Sequence, residues 1–123
     1  MFYCLVVGSR TITDYNYIKE TLDYFLQNKS EITIVSGGAR GVDSLAERYA
    51  KEHNYELKIF PADWDKYGKS AGYIRNDEMH KYISQFSDRG IVAFWDGKSK
   101  GTAHNFGLAT KYDTPIKIVR MEE

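Results

Sequence analysis

Val35-Ser36-Gly37-Gly38-Ala39-Arg40-Gly41-Val42-Asp43 joins an apolar run, Ile32 to Val35, to a stripe in which Val42, Leu45, Ala46, Tyr49 and Ala50 recur on one face. A short apolar run closed by Ser36-Gly37-Gly38 reads as a buried strand, and the recurrence after it reads as an amphipathic helix. Strand, glycine turn and helix in that order make the first part of a βαβ unit. The same grammar repeats on both sides. Phe2 to Val7 is a strand stopped by Gly8. Ile18, Leu22, Phe25 and Leu26 continue a helix that Asp14 suits as N-cap. Leu57 to Phe60 is a strand broken by Pro61, and Ile91 to Trp95 and Ile116 to Val119 are two more. Helices are expected from about Ala71 to Ile83 and from Gly101-Thr102 to about Lys111, with 62–70 irregular.

The alternation predicts an α/β fold: a doubly wound, mostly parallel sheet of about five strands with helices on both faces. The 123 residues suit one domain, 1–123, and 42% hydrophobic content supplies an ordinary core. The single cysteine, Cys4, lies in an apolar run and is expected to be a buried, inert thiol. Met1 to Val7 is too short to span a membrane and carries no basic leader, so a cytoplasmic protein is expected. Seventeen Lys+Arg balance seventeen Asp+Glu, which argues against a surface that is basic all over, as a general nucleic-acid binder needs.

In doubly wound sheets ligands bind beyond the carboxyl ends of the strands. The loops there carry Gly8-Ser9-Arg10, then Ser36 to Asp43, then Pro61-Ala62-Asp63-Trp64-Asp65 with Gly68-Lys69 and Gly72 to Asn76, then Asp96 to Thr102. Each has a glycine or small residue and a cation: Arg10, Arg40, Lys69 and Arg75, Lys98 and Lys100. Glycine lets backbone N–H groups approach an anion, helix amino ends attract it, and arginine grips phosphate as a fork. One such loop is only a tight turn; four on one edge point to a ligand.

Several residues read two ways. Asp43 suits an arginine or a ribose hydroxyl, and equally the first turn of a helix. Asp63 and Asp65 read better as turn and cap than as metal ligands, and no Cys/His cluster is present, so neither metal nor cofactor is expected. Trp64 and Tyr67 suit either base stacking or packing. His53 is expected on the surface, and of His80 and His104 only the latter is a site candidate, because it closely follows Gly101-Thr102.

Taken together, Gly8-Ser9-Arg10, Val35 to Asp43 with Leu45-Ala46, Pro61 to Trp64, Tyr67-Gly68-Lys69, Ala71-Gly72, Arg75-Asn76, Met79 and Gly101-Thr102 resemble the YspA-type branch of the SLOG superfamily, which includes the Smf/DNA-processing protein A and Lonely guy families. The resemblance covers nearly the whole chain and implies a Rossmann-like fold and a nucleotide-derived ligand. Lonely guy proteins release a base from nucleoside monophosphates and carry R-K-x-x-M and P-G-G-x-G-T-x-x-E motifs. Arg75 and Met79 match the first and Gly101-Thr102 part of the second, but Asn105 stands where its glutamate falls. An amide lacks the carboxylate's charge and proton. The DNA-processing relative, which binds single-stranded DNA, shares Gly8-Ser9-Arg10 and the Ser36, Gly37, Ala39, Gly41, Val42, Asp43 pattern.

The first expectation is therefore a binder or sensor of a phosphate-bearing, nucleotide-derived small molecule. Arg10, Arg40, Gly38, Gly41, Gly101 and Thr102 hold phosphate. Asp43 and Asp63 meet ribose or orient arginines, and Trp64 and Tyr67 cover the base. Gly8, Ser9, Ser36, Gly37, Lys69, Arg75 and Asn76 complete the site. The alternatives are an N-glycosidic-bond hydrolase using Arg75 with an acid from Asp43, Asp77, Glu78 or Asp96, and single-stranded nucleic-acid binding, which ranks lower because the sequence shows no long cationic groove. A homodimer is also expected, through a helix face such as Tyr73, His80 and Tyr82.

Overall fold

A computed structural model describes residues 1–121. Five strands, β1 (Phe2–Gly8), β2 (Ile32–Ser36), β3 (Glu56–Ile59), β4 (Arg89–Trp95) and β5 (Ile116–Arg120), form one parallel sheet in the order β3-β2-β1-β4-β5. Chain order runs outward from β1 through β2 to β3, then returns to place β4 on the other side of β1. The sheet thus has its topological switch point between β1 and β4. This is the doubly wound, Rossmann-like α/β architecture that the alternation predicts.

Helices α1 (Tyr15–Leu26) and α2 (Val42–Glu52) cover one face, where Ile18, Leu22, Val42, Ala46 and Tyr49 pack on Cys4, Val6, Ile34 and Phe94. Helices α4 (Ala71–Ile83) and α5 (Lys100–Lys111) cover the other, where Met79, Ile83 and Ala109 meet Leu5, Val7, Val35 and Ala93. Alternate residues of β1 thus serve opposite cores, as a strand sandwiched between helix layers requires. Asp14 caps α1 by accepting the Tyr17 N–H at 3.2 Å. Cys4 is buried, and burial pushes its thiol up to about 12, so it stays protonated. No helix among the described residues is long and apolar enough to cross a membrane.

Two expectations need correction. The stretch 62–70 is ordered as a one-turn helix α3 (Trp64–Tyr67), followed by a 3-10 turn, Gly68–Ser70. Asp63 starts it by accepting the Lys66 N–H at 3.1 Å. A four-residue helix is too short to show a period, so no apolar pattern announced it. Of the residues expected on a dimer face, Tyr73 is exposed, but His80 is fully buried, its Nε2 bonded to Asn105 Oδ1 at 2.9 Å between α4 and α5, so it cannot contribute to such a surface.

Candidate functional site

The ends of β1 and β4 are tied together by Ser9. Its N–H donates to the Phe94 carbonyl at 3.0 Å, its hydroxyl accepts the Asp96 N–H at 3.1 Å, and its carbonyl accepts the Val42 N–H at 3.4 Å. Two strands and the start of α2 are therefore fixed around one buried serine. Beside it opens a cleft of about 410 Å³ at the switch point. That lies in the lower part of the range for small-molecule sites, roughly 300–1,000 Å³.

From the predicted set, Gly8, Ser9, Arg10 and Asp43 form one wall, Asp96, Gly101 and Thr102 another, and Trp64, Lys69, Arg75 and Asn76 the third. Gly37, Gly38 and Arg40 line an adjoining pocket. Ser36, Gly41, Asp63 and Tyr67 line neither. Ser36 is buried, and its hydroxyl donates to Glu47 at 2.9 Å. Asp63 is the α3 cap, and the Lys66 ammonium lies over the Tyr67 ring.

Arg75 is the centre of the arrangement. It comes from α4, and its Nη1 donates to the Gly37 carbonyl while its Nε donates to Asn76 Oδ1 at 3.0 Å. A Cβ on Gly37 would sit 2.7 Å from Arg75 Nη1 and 2.9 Å from Asp43 Oδ2, so only glycine lets the guanidinium and the carboxylate close on this turn. Asn76 Nδ2 in turn donates to the Gly101 carbonyl and to His104 Nδ1, both at 3.3 Å, linking α4 to the start of α5. Burial and the nearby Arg10 pull the Arg75 pKa down, and Asp43 pushes it back up.

The glycine loop differs from expectation in one respect. The Gly38 N–H goes to Ser36 Oγ at 3.3 Å and the Ala39 N–H to Asp43 Oδ2 at 3.1 Å. These loop amides hold the loop itself, so a phosphate here would meet guanidinium groups rather than those two N–H groups.

Asp43 is buried, and burial raises its carboxyl from 3.8 to about 6 against the pull of the Ala39 N–H, Arg75 and Arg10. Its folded pKa lies above its unfolded value. Its protonated form therefore favours folding below about pH 4, and that contribution is lost as pH rises through about 6. Asp43→Asn keeps the Ala39 bond without the charge. Its stability is expected to match wild type near pH 4 and to exceed it above pH 6 by on the order of 3 kcal/mol, read as a higher melting temperature. A melting-temperature difference between the two that does not change from pH 4 to 8 would overturn this account.

The other acids behave differently. Asp96 Oδ1 accepts the Lys98 and Ser99 N–H groups, both at 2.8 Å, and these bonds hold it below the usual range as a fixed anion. Asp77 and Glu78, expected as catalytic candidates, lie outside the cleft. Asp77 is turned toward Lys111 Nζ at 3.0 Å and the Tyr112 hydroxyl at 2.9 Å, and Glu78 is exposed to solvent. His104 also stays outside the lining; its ring accepts from Asn76 and meets the edge of Tyr73, with centroids 4.7 Å apart.

Thr11, Ala39, Gly72, Tyr73, Met79, Ser99 and Asn105 also line the cleft, though none of them was expected to contact the ligand. Helical spacing held the signal for some of them. Gly72, Arg75, Asn76 and Met79 lie at i, i+3, i+4 and i+7 of α4, and Gly101, Thr102 and Asn105 share a face of α5. Asn105 is firmly held: its amide donates to the Gly101 and Thr102 carbonyls at 3.2 and 3.3 Å, and its oxygen accepts from His80. That leaves His80 Nδ1 without a partner among the described residues, and burial keeps the ring's pKa low.

The model of the YspA, cpYpsA-related SLOG family matches residues 4–67. The chain belongs to that family. The Gene 61 protein of Mycobacterium phage D29 is 33% identical over 118 residues, covering 91% of each protein. Among solved structures, DNA processing protein A from Helicobacter pylori, described for its single-stranded DNA binding mode, superposes with a TM-score of 0.65 at 21% identity. The match covers 98% of this chain and 66% of that one. The C-terminal domain of a hydrogenase from Pyrococcus furiosus gives a TM-score of 0.52 at 11% identity, over 95% and 90%. At these identities the two structures share the fold. The SLOG family match spans the strand, glycine turn and helix around Gly37 to Asp43 and ends within α3.

Proposed function

We propose that this SLOG chain is a single ligand-binding domain that takes a phosphate-bearing, nucleotide-derived molecule in the cleft between β1 and β4. The observation that carries the reading is the convergence of Arg10, Lys69 and Arg75 with the half-exposed rings of Trp64 and Tyr73 on one cleft at the switch point. Cations grip phosphate, aromatic faces cover a base, and the amino end of α5, with Gly101 facing open space, favours an anion. A melting screen of nucleotides tests it. A ligand at 100 times its Kd is expected to add about 2.7 kcal/mol to stability. No shift with any nucleotide at millimolar concentration would reject the reading.

Two other readings have their own support. The raised carboxyl of Asp43 near Arg75 suits proton transfer in an N-glycosidase. Against it stands Asn105, an amide whose groups are all taken up within the fold. Incubation with AMP, NAD and ADP-ribose is expected to release no free base. Turnover that Arg75→Ala abolishes would replace binding with catalysis.

Single-stranded nucleic acid is the other reading. It is favoured by the likeness to DNA processing protein A and by exposed Trp64, Tyr67 and Tyr73 near Lys66 and Lys69. An oligonucleotide bound more tightly than any mononucleotide, with affinity falling steeply as salt rises, would support it.

A further inference from the structure

The strand order β3-β2-β1-β4-β5 leaves β3 and β5 as the edges of the sheet among the described residues. Backbone groups that an edge strand turns away from the sheet have no ladder partner, so an edge is a template for another strand. The two edges differ in charge. β5, Ile116–Arg120, carries Lys117 and Arg120 and no acid. Pairing it with a copy of itself brings together the cations of both copies, and lysine on an edge is one means by which sheets avoid each other. β3 reads Glu56-Leu57-Lys58-Ile59, with one acid and one base, both exposed. Neither enters an ion pair among the described residues.

The backbone selects how β3 can pair with itself. The Phe60 N–H donates to the Ser36 carbonyl at 2.8 Å, so Phe60 turns its backbone groups toward β2. Alternation along the strand turns those of Glu56 and Lys58 the same way and those of Leu57 and Ile59 outward. Residues directly opposite in an antiparallel pair either both face each other with these groups or both turn them away. Two-fold registers that meet this condition are centred on Glu56, Leu57, Lys58 or Ile59. The Glu56 register opposes two acids and the Lys58 register two lysines. The Ile59 register sets Pro61 against Leu57, where the missing N–H costs a ladder bond. Only the Leu57 register is complementary. It places Glu56 of each copy opposite Lys58 of the other, on the α4 side of the sheet. There the Lys58 ammonium stands over the Phe60 and Tyr82 rings, 5.5 and 5.7 Å from their centroids. On the α2 side the same register sets Leu57 against Leu57 and Ile59 against Tyr55. Ile59 is 40% exposed, and this pairing covers it.

We propose that the β3 edge is a homodimer interface, in which two copies pair antiparallel about Leu57 and join their five-stranded sheets into one. The two-fold makes each Glu56–Lys58 contact twice. β2 separates this edge from β1, so each copy keeps its own cleft, and the antiparallel pairing points the two clefts to opposite ends of the joint sheet.

Sedimentation equilibrium of the full chain, from micromolar to millimolar concentration, tests the proposal. Wild type is expected to pass from the mass of one chain to that of two. Glu56→Lys or Lys58→Glu sets like charges opposite each other at both cross-strand sites, and either is expected to raise the dimer Kd about 30-fold. Both positions are exposed, so either variant is expected to melt close to wild type. An equimolar mixture of the two variants restores opposite charges at both sites and is expected to form a heterodimer about as tight as the wild-type dimer. A mixture that associates no better than either variant alone overturns the proposal, as do single variants that dimerise as tightly as wild type. Wild type that stays monomeric at millimolar concentration also overturns it and leaves the edge to a strand from another protein.

Discussion

Arg75→Ala is expected to weaken nucleotide binding about 100-fold, the largest loss for any single side chain in the cleft. Removing a fork that makes charge-assisted bonds costs about 1.5–3 kcal/mol per bond, and a factor of 100 corresponds to about 2.7 kcal/mol. The substitution also frees the Gly37 carbonyl and removes the strongest cationic influence on Asp43, whose pKa then rises further above about 6. Arg75→Lys retains the charge but cannot meet the Gly37 carbonyl, Asn76 and a phosphate together, so most of the loss should remain. Titration of both variants with the best ligand from the melting screen checks this. Affinity within threefold of wild type for Arg75→Ala would remove Arg75 from the site.

The largest stability effect is expected from Gly41→Ala. Gly41 has φ +72°, a conformation that an L side chain adopts only under strain. Its added Cβ would lie 2.5 Å from the Arg10 carbonyl oxygen and 2.6 Å from its Cα, backbone atoms that no rotamer change can move. Strain of about 1–3 kcal/mol and overpacking of similar size together predict a loss of about 3 kcal/mol or more, and a melting temperature lower by roughly 10 °C. Gly101→Ala is the control. Nothing lies within 4 Å of its Cβ position, so a glycine in the first turn of α5 tolerates alanine with no loss of stability. A Gly41→Ala protein that melts within 2 °C of wild type would show that the Arg10 turn yields easily.

The two variants also separate affinity from folding. Arg75→Ala acts mainly on the ligand, because its side chain reaches the site from the surface of α4. Gly41→Ala acts on the backbone that places Arg10, so its binding defect should follow its stability defect.

The sequence by itself determined the layer order of this protein. Apolar runs at Phe2, Ile32, Leu57, Ile91 and Ile116 alternate with helical stripes, and a parallel sheet covered on both faces is the arrangement that buries them all. Ala71 and Ile83 bound α4 in both the pattern and the structure. The alternation also put Gly8, Gly37, Pro61 and Asp96 at or just beyond the carboxyl ends of their strands, because every parallel strand points the same way. Resemblance to the SLOG superfamily was legible in the same loops, whose glycines and arginines lie in contiguous motifs.

Tertiary structure decided which of those residues meet. Arg75 reaches Gly37 across 38 positions, Asn76 reaches Gly101 across 25, and Ser9 reaches Asp96 across 87. Such pairings depend on strand order and crossover path, and local periodicity carries no information about either. The same reason explains the misplacements. Asp77 and Glu78 stand beside Arg75 in sequence, but successive helix positions turn by about 100°, which carries both away from the cleft. His80 lies five positions beyond Arg75 and goes to the α5 interface instead of the surface, because α4 packs against the sheet, α5 and the cleft at once. A polar residue facing a neighbouring helix looks, in sequence, the same as one facing water. Only the packing of α4 on α5 distinguishes them, through the hydrogen bond that makes burying the ring tolerable.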